Sequence, residues 1–344
     1  MKCGIFLTPY NPPSRTPRQV FDWSLDIARI ADEAGFADFM IGEHYTLAWE
    51  NIPLPEAIIG AAAQTTKQIR FAPMAHLLPY HDPATLAIRI GWLSQVMEGR
   101  YFLGVAPGGH HTDAILHGYE NIFELGKIQL EALELMERVW KREPFMHKGE
   151  HFRAGFPGPN DMPGYDVEIA DNNPWGGVEA MEIAVTGLSK NSPSMKFAGE
   201  RNYSPISFFG GIEQMKGHWE TWSTTATAAG HNADRSRFRV CRDVFIADTD
   251  AEARRLGDPQ CFEEVCLGLA GKADDDVGGD RGLRHGGPHP FDDAQVTLRA
   301  VRPPHCLQHL VRARLQGHVQ ARHHVRRLGH RGDHVVGERG RVRR

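Results

Sequence analysis

Apolar and polar positions along this chain alternate between two periods. Phe21, Leu25, Ala28 and Ala31 recur at helical spacing and stop at Gly35, a residue suited to the left-handed turn that ends a helix. The run Phe39-Met40-Ile41-Gly42-Glu43-His44 follows at once and predicts a short buried strand closing on two ionisable residues. The same grammar returns in Ile69-Arg70-Phe71-Ala72-Pro73-Met74-Ala75-His76. Asp82 and Pro83 then offer an N-cap and a first-turn proline to a helix carrying Leu86, Ile90, Leu93 and Met97. Gly99 ends that helix, residues 101–106 form the next strand, and a polar, glycine-rich loop runs from Pro107 to Asp113. Further strands are predicted over 3–7, 183–186, 204–209 and 238–247, with helices such as 128–141 and 212–229 between them.

Strand and helix alternating over roughly 250 residues imply an α/β fold with a parallel sheet and right-handed crossovers, and at that length a (β/α)8 barrel rather than an open sheet. A Rossmann dinucleotide site does not fit, because residues 104–109 lack the G-x-G-x-x-G spacing. In such folds chemistry is done at the carboxyl ends of the strands, which makes His44 the first catalytic candidate; the plain alternative is a loop histidine with no role.

Only seven strands can be counted before the chain changes character. From Leu256 onward there is no Ile, Ser, Asn, Tyr, Trp or Met, and Lys272 is the one lysine. The last 64 residues hold 14 Arg and 9 His with Phe291 as their only aromatic side chain. A basic nucleic-acid segment mixes Lys with Arg and interleaves aromatics; this composition is what a GC-rich gene yields out of frame. The expected organisation is therefore an incomplete barrel over 1–255, lacking its last strand and helix, and an out-of-frame, unpacked segment over 256–344. The rival reading of the tail is a disordered Arg/His-rich interaction segment.

That division corrects the charge. The whole chain stands at −4, but the last 64 residues set 14 Arg against Asp292, Asp293, Asp333 and Glu338, which is +10, and leave −14 on the first 280. An acidic domain has no pull toward nucleic acid. No window approaches the length of a membrane span, the amino terminus carries no signal-peptide pattern, and the five cysteines form no framework, so a reducing, cytoplasmic setting is expected.

Three stretches carry a resemblance: MIGEHYTLAWE, RFAPMAHLLPYHDPATLAIRIGWLSQVMEGRYFLGVAPGGHHTDA and VTGLSKNSPSMKFAGERNYSPISFFGG. They resemble the bacterial luciferase-like flavin-dependent monooxygenases and are most similar to the diketocamphane and limonene monooxygenase group, over residues 1–255. The resemblance implies a TIM barrel that uses reduced FMN from a separate flavin reductase. With O2 it would oxygenate a small hydrophobic cyclic ketone or terpene, by Baeyer–Villiger or epoxidation chemistry. A homodimer is expected. His44 matches the family's active-site histidine, an acid or base beside the flavin ring, with Glu43 either orienting it or facing outward in an ion pair. Met74 and Ala75 match the position against the flavin's face, in some members through a non-proline cis peptide. Small and apolar strand ends (Met74, Ala75, Ala106) suit a pocket that excludes water, and His76 with His81, His110 and His111 is read as polar lining rather than a metal site.

The flavin phosphate needs donors. Asn191, Ser192 and Ser194 open a predicted helix, where hydroxyls and free backbone N–H groups make an anion site; the plain alternative is an ordinary N-cap. Luciferases proper carry an arginine where this chain has Pro107, so positive charge must come from Lys190 or the helix dipole. Residues 144–177, rich in Gly, Pro and Asn, are read as a substrate cover or dimer contact anchored by Phe156 and Trp175. Two rivals to the oxygenase stay open: a deazaflavin-dependent oxidoreductase that transfers hydride, and an inactive flavin-binding product.

Overall fold

The computed structural model describes residues 2–8, 11, 13–158, 181–208, 211–244 and 295–300, with 243–244 and 295–300 as backbone alone. In chain order the elements are β1 (Cys3–Leu7), α1 (Pro17–Glu33), β2 (Asp38–Ile41), α2 (Pro55–Ala62), β3 (Arg70–Pro73), β4 (His76–Leu77), α3 (Pro83–Val96), β5 (Leu103–Ala106) and α4 (His111–Leu116). There follow α5 (Leu125–Lys141), β6 (Phe145–Lys148), β7 (Arg153–Phe156), β8 (Ile183–Gly187), α6 (Pro193–Glu200), β9 (Ser204–Phe208), α7 (Ile212–Ala228), β10 (Arg239–Val244) and β11 (Gln295–Ala300). The predicted punctuation holds. Gly35 and Gly99 sit at φ 74° and 80° after their helices, and the Asp82 carboxylate accepts from the Thr85 N–H at 2.8 Å as N-cap of α3.

Two compact units divide these elements, one from residues 7–25 and 38–186, the other from 1–6, 26–37 and 187 onward. In the first, β2 pairs in parallel with β3, setting Phe39 opposite Phe71. Past Pro73 the strand changes partner: β4 pairs with β5, His76 opposite Val105, and β5 pairs with β8. Helix α5 buries Leu125, Ile128, Ala132, Leu133, Leu135 and Met136, a stripe at helical spacing, and its Trp140 Nε1–H donates to the Ala87 carbonyl of α3 at 2.9 Å.

The change of partner happens at Met74-Ala75, whose peptide bond is cis. Gly104 on β5 makes room for it. A Cβ at Gly104 would lie against the Pro73 carbonyl oxygen and 2.6 and 2.8 Å from Met74 Cε and Sδ. The thioether can swing away; the carbonyl cannot. Gly104→Ala is therefore expected to destabilise the fold by about 1–3 kcal/mol, as overpacking does. Thermal unfolding would register this as a midpoint several degrees lower, and an unchanged midpoint would show that the two strands do not approach so closely.

In the second unit β1, β11, β10 and β9 lie in that order, all parallel, with Cys3 opposite Val296 and Val240 opposite both Val296 and Ser207. Phe6 and Phe208 meet edge to face at 5.1 Å between centroids. Trp222 of α7 is completely buried, its indole N–H donating to the Tyr203 carbonyl at 2.9 Å. Gly199 lets α6 come close, since a Cβ there would stand 2.8 Å from the Trp222 carbonyl oxygen.

One expectation needs correction. A strand does follow Arg255: Gln295–Ala300 pairs on both sides, with β1 and with β10. A ladder uses backbone N–H and C=O groups, so Gln-Val-Thr-Leu-Arg-Ala, free of Gly and Pro, can pair without the long β-branched run the sequence argument demanded. The rest of the supposed out-of-frame segment lies outside the described residues. Within the 144–177 stretch, residues 145–156 form the antiparallel β6–β7 hairpin, Phe145 opposite Phe156; Trp175 lies outside the described residues. Among those described, no helix is long and apolar enough to cross a membrane.

Candidate active site

His44 lies just past the carboxyl end of β2, on a loop pinned at its base by the His44 N–H donating to the Ile52 carbonyl at 3.1 Å. Its Nδ1–H donates to Asp113 Oδ2 at 2.9 Å. Asp113 belongs to the first turn of α4 and is fully buried. Its Oδ1 accepts from the Tyr45 N–H at 3.2 Å, the Thr46 N–H at 2.8 Å and the Thr46 hydroxyl at 2.6 Å. Burial by itself would raise this carboxyl, but the bonds from Thr46 and His44 outweigh it and hold the group below its ordinary range. A carboxylate can only accept, so it keeps the imidazole proton on Nδ1 and leaves the lone pair on Nε2. That nitrogen faces Glu50 Oε2 at 3.6 Å, beside the His110 ring at 4.5 Å and 81°. The imidazole is 19 % exposed, enough to meet a ligand.

Glu43 neither orients His44 nor faces outward, contrary to both expectations. Successive residues of an extended segment point to opposite sides, so Glu43 turns inward as His44 turns out. The Glu43 carboxylate is 1 % exposed and accepts from His76 Nδ1–H at 2.5 Å, His81 Nε2–H at 2.7 Å and the Tyr45 hydroxyl at 2.5 Å. Burial would raise it, yet the charge and hydrogen bonds of His76 and His81 hold it well below the carboxylate range. His76, with no exposed surface, is pushed down by burial but raised overall by Glu43. The two form a buried ion pair. Burial and then Glu43 push the Tyr45 phenol far up, so it remains a donor. His76 Nε2 has no hydrogen-bond partner among the described residues and lies 3.8 Å from Glu56, which pairs with Arg89.

Sequence reasoning missed Asp113. Its bond to His44 spans 69 residues, which no spacing rule connects; the available signal was an acidic residue in the first turn after the 107–113 loop. His76 and His81, expected as pocket lining, are engaged by Glu43 instead. Met74 and Ala75 are nearly buried, and Ala106 ends β5 partly exposed. Tyr80 stacks on His117 at 4.5 Å, its hydroxyl without a hydrogen-bond partner among the described residues and, through burial, pushed up to about 12.

In the other unit Ser192 is the N-cap of α6, as expected, but its hydroxyl makes no cap bond and pairs with Ser194 Oγ at 2.7 Å. Asn191 is exposed beside them. Two half-buried hydroxyls paired with each other at a helix start fit an anionic phosphate.

Residues 1–294 match the family described as luciferase-like monooxygenase. The chain is 72 % identical over 255 residues to 2,5-diketocamphane 1,2-monooxygenase 1 of Pseudomonas putida, covering 74 % of this chain and 70 % of that one. It is 49 % identical over 272 residues to the 3,6-diketocamphane 1,6-monooxygenase of the same species, covering 74 % and 71 %. Among solved structures it is similar, at TM-score 0.71 and 49 % identity, to the oxygenating constituent of 3,6-diketocamphane monooxygenase in complex with FMN, over 78 % of this chain and 75 % of that one.

Proposed function

The chain belongs to the luciferase-like monooxygenases, and from that premise we propose that it is the oxygenating component of a two-component enzyme, inserting one oxygen atom from O2 into a hydrophobic cyclic ketone to give a lactone. The observation that carries this reading is the part-exposed His44 imidazole, held at a strand end by a buried carboxylate that leaves the Nε2 lone pair beside Glu50 and His110. Bound reduced FMN supplies the electrons and the ring that activates O2.

The chain's own residues do the rest. His44 holds or moves a proton at Nε2, and Asp113 fixes its tautomer and orientation. Met74, Ala75 and Ala106 offer an apolar wall for the flavin ring that keeps water out. His76 works beneath that wall, anchoring Glu43 rather than touching the ring. Asn191, Ser192 and Ser194 donate to the phosphate, with Lys190 as the nearby cation. A flavin reductase supplies the reduced cofactor, and a second copy of the chain completes a homodimer. Incubation with reduced FMN, O2 and a bicyclic ketone tests the reading directly. Lactone is the expected product, and hydride transfer to deazaflavin without oxygen would overturn it.

The phosphate assignment has its own test. Ser192→Ala combined with Ser194→Ala is expected to weaken reduced FMN at least tenfold while barely changing reduced riboflavin, because each charge-assisted hydrogen bond contributes about 1.5–3 kcal/mol. Fluorescence titration of both flavins checks this. Equal losses would place the phosphate elsewhere.

A further inference from the structure

Three donor atoms converge at the mouth of the His44 site in an arrangement that proton transfer does not require. Glu50 Oε2 lies 3.3 Å from His110 Nε2 and 3.6 Å from His44 Nε2. All three atoms fall within 4.8 Å of one another. Ligands at about 2.0–2.1 Å from a tetrahedral zinc ion stand about 3.4 Å apart, so these separations match the edges of a coordination polyhedron, and without an ion the 3.3 Å pair is a hydrogen bond between His110 and Glu50. The two imidazoles cross at 81°, which lets their nitrogens aim at one point without stacking.

The support behind the donors fits the same chemistry. Metal-binding histidines commonly donate their second ring N–H to a carboxylate, which fixes the tautomer and makes the ligating nitrogen more basic. His44 does so, at 2.9 Å, to the fully buried Asp113. The same carboxylate ties the two loops together, since its other oxygen is held by Tyr45 and Thr46 while Asp113 and His110 both lie at the start of α4. The Glu50 side of the loop is fixed by the His44 N–H to Ile52 bond. Two imidazoles and one carboxylate form an open three-ligand set with a position left for water, the donor class that suits zinc and its neighbours rather than calcium or magnesium.

We propose that His44, Glu50 and His110 form a binding site for a divalent transition cation of the zinc type, and that its occupancy inhibits the enzyme. The cation takes the Nε2 lone pair of His44, the atom assigned to proton transfer; the inhibitory half of the proposal rests on that assignment. The buried Glu43, His76 and His81 group also has ligand-type donors within 4.8 Å of one another, but direct contacts of 2.5 and 2.7 Å already satisfy its carboxylate.

The test uses the full chain, stripped with chelator and desalted, and titrated with zinc by calorimetry and with cobalt by visible absorption. A cobalt spectrum of low-coordinate type is expected, and His110→Ala and Glu50→Gln should each weaken zinc at least about tenfold, with Asp113→Asn weakening it about 10–100-fold. His81→Ala, in the neighbouring group, should leave zinc affinity unchanged. Zinc should suppress oxygenation over the concentration range in which it binds, chelator should restore it, and His110→Ala should shift the inhibition curve to higher zinc in step with its weaker binding. If the parent and the His110→Ala and Glu50→Gln variants bind zinc equally, the site is wrong whatever His44 does in catalysis. Zinc that binds as described and leaves turnover untouched would instead overturn the role of His44.

Discussion

Replacing His44 with alanine should lower oxygenation turnover about 10²-fold or more while affinity for reduced FMN stays within a few-fold. The expectation follows from geometry. The imidazole is one-fifth exposed at a strand end, its Nδ1 proton is committed to Asp113, and Nε2 alone keeps a lone pair. Asp113→Asn separates positioning from contact. An amide cannot hold the same tautomer with the same certainty, so turnover should fall while the imidazole remains present. Single-turnover kinetics with pre-reduced flavin would measure both. A well-folded His44→Ala protein with full turnover would remove His44 from the mechanism, and an Asp113→Asn protein matching the parent would make the carboxylate merely structural.

The largest stability effect is expected at Glu43, which is buried and bonded to His76. Truncation to alanine would strand the buried His76 charge and the Tyr45 hydroxyl together. Breaking a buried pair by removing one partner costs about 3–5 kcal/mol. That is a large part of the 5–15 kcal/mol that holds a typical domain folded. Urea unfolding of Glu43→Ala and Glu43→Gln would measure it, the glutamine keeping the shape and losing the charge. The pH dependence has a fixed sign. Glu43 is lowered from its ordinary 4.5, so its contribution is complete above 4.5 and is lost as pH falls through the depressed value. His76 is raised from its ordinary 6.5, so its contribution is complete below 6.5 and is lost as pH rises through the elevated value. The pair therefore stabilises most between pH 4.5 and 6.5. Glu43→Gln should flatten both limbs of the stability profile, and a variant that keeps the parent's profile would show that the pair is not ionised.

Local rules located most of this fold. Helical spacing broken by Gly35 and Gly99, and Asp82-Pro83 ahead of Leu86, fixed where α1 and α3 end or begin, because caps and left-handed turns depend on a few adjacent residues. The strand over 295–300 escaped because pairing in a sheet is set by neighbours far away in sequence, and Val296 and Leu298 alone make a weak local signal. The site divided along the same line. His44 was legible as the end of an apolar run. Which carboxylate it holds was not, since adjacency in sequence favoured Glu43 whereas alternation along the segment turned Glu43 inward and brought in Asp113 from another loop. His76 and His81 looked like pocket lining for the same reason: burial is a tertiary property that strand-end position does not reveal.

This chain is expected to transfer oxygen from O2 to a ketone through bound FMN. Reaction of the full chain with chemically reduced FMN, isotopically heavy O2 and a bicyclic ketone, followed by mass spectrometry of the product, tests it most directly. The expected result is a lactone carrying one heavy oxygen atom, formed only when FMN is present. A lactone without heavy oxygen, or ketone reduced to the alcohol by a reduced deazaflavin in the absence of O2, would contradict this reading.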